Sequence, residues 1–236
     1  MIERPNSKAI DRKRRLGLPH ADLPIRDAEE RARDFDEAYG EWDLDTARAE
    51  AERCIQCPAA PCVKACPVEN DILYALWLLE HGEVEDAASV FRATSTMPEV
   101  CGRVCPQTEL CEGACVYAKQ GRPPVGIGRL EAFVADRAPR PSLERPHRTG
   151  HRAAVVGAGP AGLTVAELLA RRGHEVSVFD AWPAGGGILR YGIPSFKMAH
   201  SLVQDCTRTP AKSVMLVENG AGLCGGLCFG WVGLTD

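Results

Sequence analysis

Cys54-Ile55-Gln56-Cys57-Pro58-Ala59-Ala60-Pro61-Cys62-Val63-Lys64-Ala65-Cys66-Pro67 opens the region that decides the fold, and Cys101-Gly102-Arg103-Val104-Cys105-Pro106-Gln107-Thr108-Glu109-Leu110-Cys111-Glu112-Gly113-Ala114-Cys115 closes it. Eight of the eleven cysteines fall here, in two groups of four. At such spacings short loops bring several sulfurs to one concave surface, where thiolates converge on a metal centre. The proline after Cys66 and after Cys105 resembles the ending of bacterial ferredoxin motifs. The pattern favours iron–sulfur chemistry. Two structural zinc sites are the alternative, but zinc ribbons repeat a C-x2-C knuckle and the second group has x3, x5 and x3 gaps. A disulfide framework ranks below both, because no signal peptide precedes these residues.

Length and composition narrow the rest. At 236 residues the chain holds two modest domains. A formal net charge of −4 and a pI near 5.9 give no general attraction to nucleic acid or to anionic membranes. No apolar run reaches the length of a membrane span. With no basic segment followed by an apolar one at the amino terminus, the cytoplasm is the expected compartment.

Working outward, residues 1–26 are polar and proline-punctuated and read as an extended arm. Its basic run Arg12-Lys13-Arg14-Arg15 suits an anionic partner or, preferably, a solvated arm lying on a neighbouring subunit. Residues 27–138 read as helical. Asp43 or Asp45 is placed to cap a helix running into Cys54. Asn70 or Asp71 is placed to cap another through Ile72, Leu73, Leu76 and Leu79 that stops at Gly82. Further helices are expected over about 83–93, over 109–118 with Cys111 and Cys115 one turn apart, and over 128–138 with Leu130, Phe133 and Val134 on one side.

Residues 139–150 hold three prolines and no apolar period, and read as a linker. A buried-strand pattern over 153–156 follows, then Gly157-Ala158-Gly159-Pro160-Ala161-Gly162, an amphipathic helix closed by Gly173, and a strand from Glu175 to Asp180. These elements stand where a dinucleotide-binding βαβ unit needs them. Gly157 permits the tight turn, Gly159 lets backbone approach a pyrophosphate, and Gly162 allows close helix–strand packing. The helix start around Pro160 and Ala161 offers amide donors, and Asp180 would accept from the adenosine ribose hydroxyls.

Together with Gly126-Ile127-Gly128-Arg129-Leu130-Glu131 and Gly186-Gly187-Ile188-Leu189-Arg190-Tyr191-Gly192-Ile193-Pro194, these stretches resemble one family over about residues 27–198. It contains the small (β) subunit of NAD(P)H-dependent glutamate synthase, the amino-terminal region of dihydropyrimidine dehydrogenase, and the flavin subunit of electron-bifurcating ferredoxin:NADP transhydrogenases. The resemblance implies a fold of class α+α/β. A helical double 4Fe–4S cluster domain (27–138) would be followed by a partial Rossmann-like FAD-binding domain of glutathione-reductase type (151–198). It further implies that Cys54, Cys57, Cys62 and Cys115 hold one cluster, and Cys66, Cys105, Cys111 and Glu131 the other. Gly186, Gly187 and Leu189 join the glycine turn in contacting FAD. By itself Glu131 reads as a solvated helix residue, and Cys101 is left over as a small thiol that needs no chemical role.

Past Met198 the resemblance stops. Residues 199–236 read as an atypical glycine-rich tail without strand or helix, with Cys224 and Cys228 incidental, and as a truncated or out-of-frame end. The single GxGxxG turn is taken by the flavin, so no NAD(P)H site is seen and the chain alone is not expected to oxidise NAD(P)H. The function implied is an iron–sulfur flavoprotein oxidoreductase of the glutamate synthase small-subunit type. It would pass electrons from NAD(P)H through FAD and two 4Fe–4S clusters to a large (α) subunit or another FMN-containing acceptor. The alternatives are a dihydropyrimidine dehydrogenase or transhydrogenase relative and, from another class, a non-catalytic electron-transfer or docking module or an inactive fragment. No catalytic residue is assigned.

Overall fold

The computed structural model describes residues 2–6, 9–140, 147–208, 214–218 and 231–235. The chain divides into two units, Met1–Pro139 and Arg140–Asp236. The stretch 141–146 of the expected linker, and Cys224 and Cys228, lie outside the described residues.

The first unit is helical, with α1 (Arg12–Leu16), α2 (Ala28–Arg31), α3 (Leu44–Glu52), α4 (Pro61–Ala65), α5 (Ile72–Glu80), α6 (Val84–Thr94), α7 (Pro98–Val104) and α8 (Ile127–Arg137). Local chemistry sets their ends. The Asp43 carboxylate accepts from the Thr46 amide and starts α3, and Asp71 accepts from Tyr74 at the head of α5. Gly82, at φ 87°, turns the chain from α5 into α6. The core is made by α3, α5, α6 and α8, where Ala47, Ala51, Leu76, Leu79, Phe91, Leu130 and Val134 are at most 1% exposed. Almost all of α8 is buried, not one side alone. The sequence reading missed α7. It backs directly onto α8 because Gly102 has no side chain, and a Cβ there would stand 2.5 Å from the Gly128 carbonyl oxygen.

Two expectations are corrected. Residues 109–118 form no α-helix; the chain runs through successive turns and closes with a 3-10 turn at Ala118–Gln120. The Gln107 carbonyl accepts from the amides of Leu110, Glu112 and Gly113, folding the segment back on itself, and a Cβ on Gly113 would stand 2.0 Å from the Thr108 oxygen. Residues 1–26 are not a free extended arm either. The Ile2 carbonyl accepts from the Tyr74 hydroxyl and the Glu3 carbonyl from the Trp77 indole. Arg15, read as part of a solvated basic run, makes a bidentate ion pair with Glu80, both bonds 2.7 Å, with the two side chains 6% and 7% exposed. The same guanidinium donates to the carbonyls of Glu52 and Cys54. Contiguous basic residues diverge here because successive helical positions point in different directions.

In the second unit β1 (Arg152–Val156), α9 (Pro160–Arg171) and β2 (Glu175–Asp180) form a parallel βαβ unit, with Val155 paired to Val178. Helices α10 (Ile188–Tyr191) and α11 (His200–Arg208) follow, then β3 (Val214–Glu218) and β4 (Trp231–Thr235). The sheet order is β3-β2-β1-β4, with β3 parallel to β2 and β4 antiparallel to β1. The expectation that residues 199–236 carry no strand or helix is thereby corrected. Val214-Met215-Leu216-Val217 is an apolar run too short to declare itself without the edge of β2 to pair with.

The Arg15–Glu80 pair generates a prediction. Arg15→Met leaves a buried carboxylate without its partner and should destabilise the chain by about 3 to 5 kcal/mol in chemical denaturation. The double variant Arg15→Met/Glu80→Leu removes the orphaned charge and should lose markedly less.

Candidate metal centres and dinucleotide cradle

The loop from Cys54 to Cys66 is strained where it must turn. Among the described residues only Gln56, Ala60 and Glu69 carry positive φ without being glycine (49°, 42° and 50°), and all three lie in or just beyond it. Gln56 is pinned by its side-chain amide, which donates to the Leu73 carbonyl at 2.8 Å and lies 3.7 Å from the Cys54 sulfur. Beyond the loop, Arg53 anchors the chain. Its guanidinium, over the Tyr117 ring, donates to Glu50 and to the carbonyls of Pro123 and Pro124. The Tyr117 hydroxyl in turn donates to the carbonyls of Arg15 and Arg53. This buried hub draws the segment after Cys115 against the segment before Cys54.

The result is a cavity lined by Cys54, Cys57, Cys62 and Cys115 and walled by Ile72, Leu76, Val125 and Ile127. Among the described residues no three or more His, Cys, Asp or Glu side chains converge as one metal ion requires. These four thiols stand instead around a volume, and a zinc ion bound at about 2.3 Å from each sulfur would need them drawn together. Soft sulfur donors around an apolar cavity suit a polynuclear iron–sulfur group. Burial pushes the Cys54 thiol up to about 12 and raises Cys62 and Cys57 as well, so the free thiols stay neutral until a metal's charge compensates them.

A second group gathers where α7, the turns after it and α8 meet. Cys105 and Cys111 each lie within electrostatic reach of Glu131 and Cys66. Burial pushes Cys111 up to about 12, whereas a hydrogen bond with Cys101 holds Cys105 below the ordinary thiol range. Glu131 is not a solvated helix residue. It is 7% exposed, its carboxyl is raised well above the usual range first by burial and then by Cys101, and the Asn70 amide donates to it at 3.2 Å. Asn70, considered above as a helix cap, is free for this because Asp71 takes the capping role; it also accepts from the Thr94 hydroxyl. A buried carboxylate with so slender a protein partner is costly unless a positive charge joins it, and a metal supplies that charge. Cys101 sits beside this group, half-buried, 3.6 Å from the Ser95 hydroxyl oxygen. Asn70, Gln56 and Ser95 are contributors that no motif announces.

In the second unit Gly157, at φ 100°, turns the chain out of β1, and its amide donates to Phe179 at 2.7 Å. Helix α9 starts at Pro160, with Gly159 as a cap that makes no side-chain bond. The Asp180 carboxylate accepts from the amides of Ala158 and Trp182, which holds the end of β2 against the turn. The Gly186 amide donates to the Ala158 carbonyl at 2.7 Å, and Gly187 lies against Gly159. Gly157, Gly159, Asp180, Gly186 and Gly187 are thus brought together. Ala161 is exposed at the head of α9, and Leu189 is buried in α10.

The glycines play different parts. A Cβ on Gly162 would stand 1.8 Å from the Gly157 oxygen, whereas one on Gly159 would meet nothing nearer than the Gly187 Cα at 4.0 Å. Space beside Gly159 is therefore open. Gly162→Ala should lower the stability of this unit by at least about 1 to 3 kcal/mol in thermal unfolding. Gly159→Ala should stay within about 1 kcal/mol of the parent.

Comparison with known proteins finds matches in both units. Residues 31–142 match the family model of dihydropyrimidine dehydrogenase domain II, 4Fe-4S cluster, and residues 155–197 match an NAD(P)-binding Rossmann-like domain. The chain is 41% identical over 198 residues to the glutamate synthase (NADPH) small chain of Azospirillum brasilense, an alignment covering 81% of this chain and 41% of that one. It is 40% identical over 187 residues to the same protein of Escherichia coli, covering 78% and 39%. It is 34% identical over 157 residues to an NAD-dependent dihydropyrimidine dehydrogenase subunit PreT homolog of Salmonella typhi, covering 65% and 38%. The chain thus spans about two fifths of the length of these curated relatives. Across both units, with the two cysteine runs and the glycine turn in place, the chain is similar to about two fifths of the glutamate synthase small chains and, over residues 31–142, to dihydropyrimidine dehydrogenase domain II.

Proposed function

We propose that this chain is the electron-carrying part of an iron–sulfur flavoprotein oxidoreductase of the glutamate synthase small-chain type. In this reading electrons from NAD(P)H reach a partner, a glutamate synthase large subunit or another FMN-containing acceptor, where the substrate is reduced. The observation that carries it is the cavity lined by Cys54, Cys57, Cys62 and Cys115, which gathers thiols from both cysteine runs inside apolar walls. When bound, 4Fe–4S clusters exchange single electrons, and FAD converts the electron pair of a hydride into single-electron transfers.

The chain's own residues do the holding. Cys54, Cys57, Cys62 and Cys115 supply one set of thiolates, and Ile72, Leu76, Val125 and Ile127 keep water from it. Cys66, Cys105 and Cys111 supply the other together with the Glu131 carboxylate, whose hard oxygen changes the charge of that site. In the second unit we assign FAD to the glycine turn. The head of α9 at Pro160 and Ala161 receives its pyrophosphate, and the clearance at Gly159 admits it. Gly186, Gly187 and Leu189 belong to the segment folded over that turn. Asp180 favours a ribose with free hydroxyls, because a 2′-phosphate would meet its negative charge. No residue of this chain is assigned to the substrate's own chemistry.

Two measurements test the reading. Anaerobically reconstituted chain should hold about eight irons and a matching amount of acid-labile sulfide, and Cys57→Ser should lose about half of each. Stoichiometric zinc with no iron would overturn the assignment. Gly159→Val should weaken FAD binding, followed by flavin fluorescence, at least about tenfold while leaving far-ultraviolet circular dichroism intact; unchanged affinity would remove FAD from this cradle.

A further inference from the structure

The basic run Arg12–Arg15 is a feature that the assigned function does not use. It forms α1, whose start is capped by the Asp11 carboxylate. The four cations have different surroundings. Lys13 is exposed, Arg14 pairs with Glu52, and Arg15 is neutralised by Glu80. Arg12 is the exception. Its Nη2 donates to the Gln56 carbonyl at 3.2 Å, on the peptide bond that leads into Cys57. Among the described residues it has no carboxylate partner, and its Nε is buried with no hydrogen-bond acceptor. An unneutralised guanidinium with a shielded N–H is therefore held on the loop that carries three thiols of the first cavity. Burial and then Cys115 push the Cys57 thiol up, and Arg12 is the charged side chain that opposes them.

The second group has the opposite setting. The charged groups nearest its thiols are carboxylates: Glu112 and Glu131 act on Cys111, and Glu131 on Cys105. Of the guanidiniums on this side, Arg103 is engaged by Glu37 and Asp136, and Arg129 lies over the Tyr39 ring and acts on Glu112.

We propose that Arg12 is a positioning residue for the first thiol set, whose unpaired charge makes that site the more readily reduced of the two and so the later station for electrons. The inference rests on the cluster assignment above. Uptake of one electron, delivered by the reduced flavin of that reading or by dithionite in the test, makes a thiolate-ligated site one charge more negative and breaks no bond. A neighbouring cation stabilises the added charge. Neighbouring carboxylates disfavour it.

The experiment is a redox titration of the anaerobically reconstituted full chain with dithionite, followed by electron paramagnetic resonance, after iron and sulfide have been counted. Cys57→Ser identifies the first site's signal by its loss. The first site should titrate at the higher potential. Arg12→Gln should reduce its equilibrium constant for reduction about tenfold, ~59 mV for a one-electron couple, and leave the second site unmoved. Arg12→Lys keeps the charge and should keep the potential. Lys13→Gln removes one charge from the exposed side of the same helix and should move neither site. Unchanged potentials in Arg12→Gln with iron retained, or an equal shift in Lys13→Gln, would overturn the role of Arg12. Should Arg12→Gln lose the first site's iron, Arg12→Lys decides: a retained potential supports the role and a tenfold loss refutes it. Absence of iron from the unsubstituted chain would instead defeat the cluster assignment.

Discussion

The helical unit depends on an exchange between its two cysteine runs. Cys115, from the end of the second run, lines the cavity made by Cys54, Cys57 and Cys62, and Cys66, from the end of the first, lies within reach of Cys105 and Cys111. Neither group can assemble from its own segment. The chain between them must first fold back, and α5 and α6, packed on α3 and α8, accomplish that with leucines and alanines that leave almost no surface. Burial raises Cys54, Cys57, Cys62 and Cys111, so a metal that replaces their protons would couple its binding to the stability of this unit.

A small helical core of this kind is held as much by buried polar groups as by apolar area. The Arg53–Glu50 pair is 2% and 0% exposed, and Glu50 also accepts from the amides of Ala21 and Gly126. Arg15 with Glu80 binds the amino-terminal segment to the first loop in the same way. These groups are satisfied on several sides, which is what allows charge to be buried. Glu131 differs, and the contrast singles it out: its buried carboxyl accepts from one side-chain amide, that of Asn70.

The dinucleotide unit works by clearance. Its glycines form a tightly closed turn at Gly162 and an open one at Gly159, and Asp180 spans from the end of β2 to the amide of Ala158 so that the turn keeps its shape. One side of the turn is filled with protein. The other is open, which is what the proposed approach of a pyrophosphate requires.

Much of this was written in local sequence. Caps and periodicity located α3, α5, α6, α8, α9 and the first two strands, because an Asp43 or Asp71 followed by apolar residues at helical spacing carries its own instructions. The cysteine spacings and the glycine turn declared the two kinds of chemistry. What local sequence did not determine depends on residues distant along the chain. Cys111 and Cys115 sit at helical spacing, yet 107–117 coils into turns because the Gln107 carbonyl captures three amides and Gly113 fits against Thr108. Arg12–Arg15 reads as one basic patch, yet Glu80 and Gln56 give two of its members separate surroundings. Glu131 reads as solvated, yet α7, backed onto α8 through Gly102, buries it beside three cysteines. A side chain's type is set by sequence, but its solvation is set by what packs over it, and only the tertiary structure decides that.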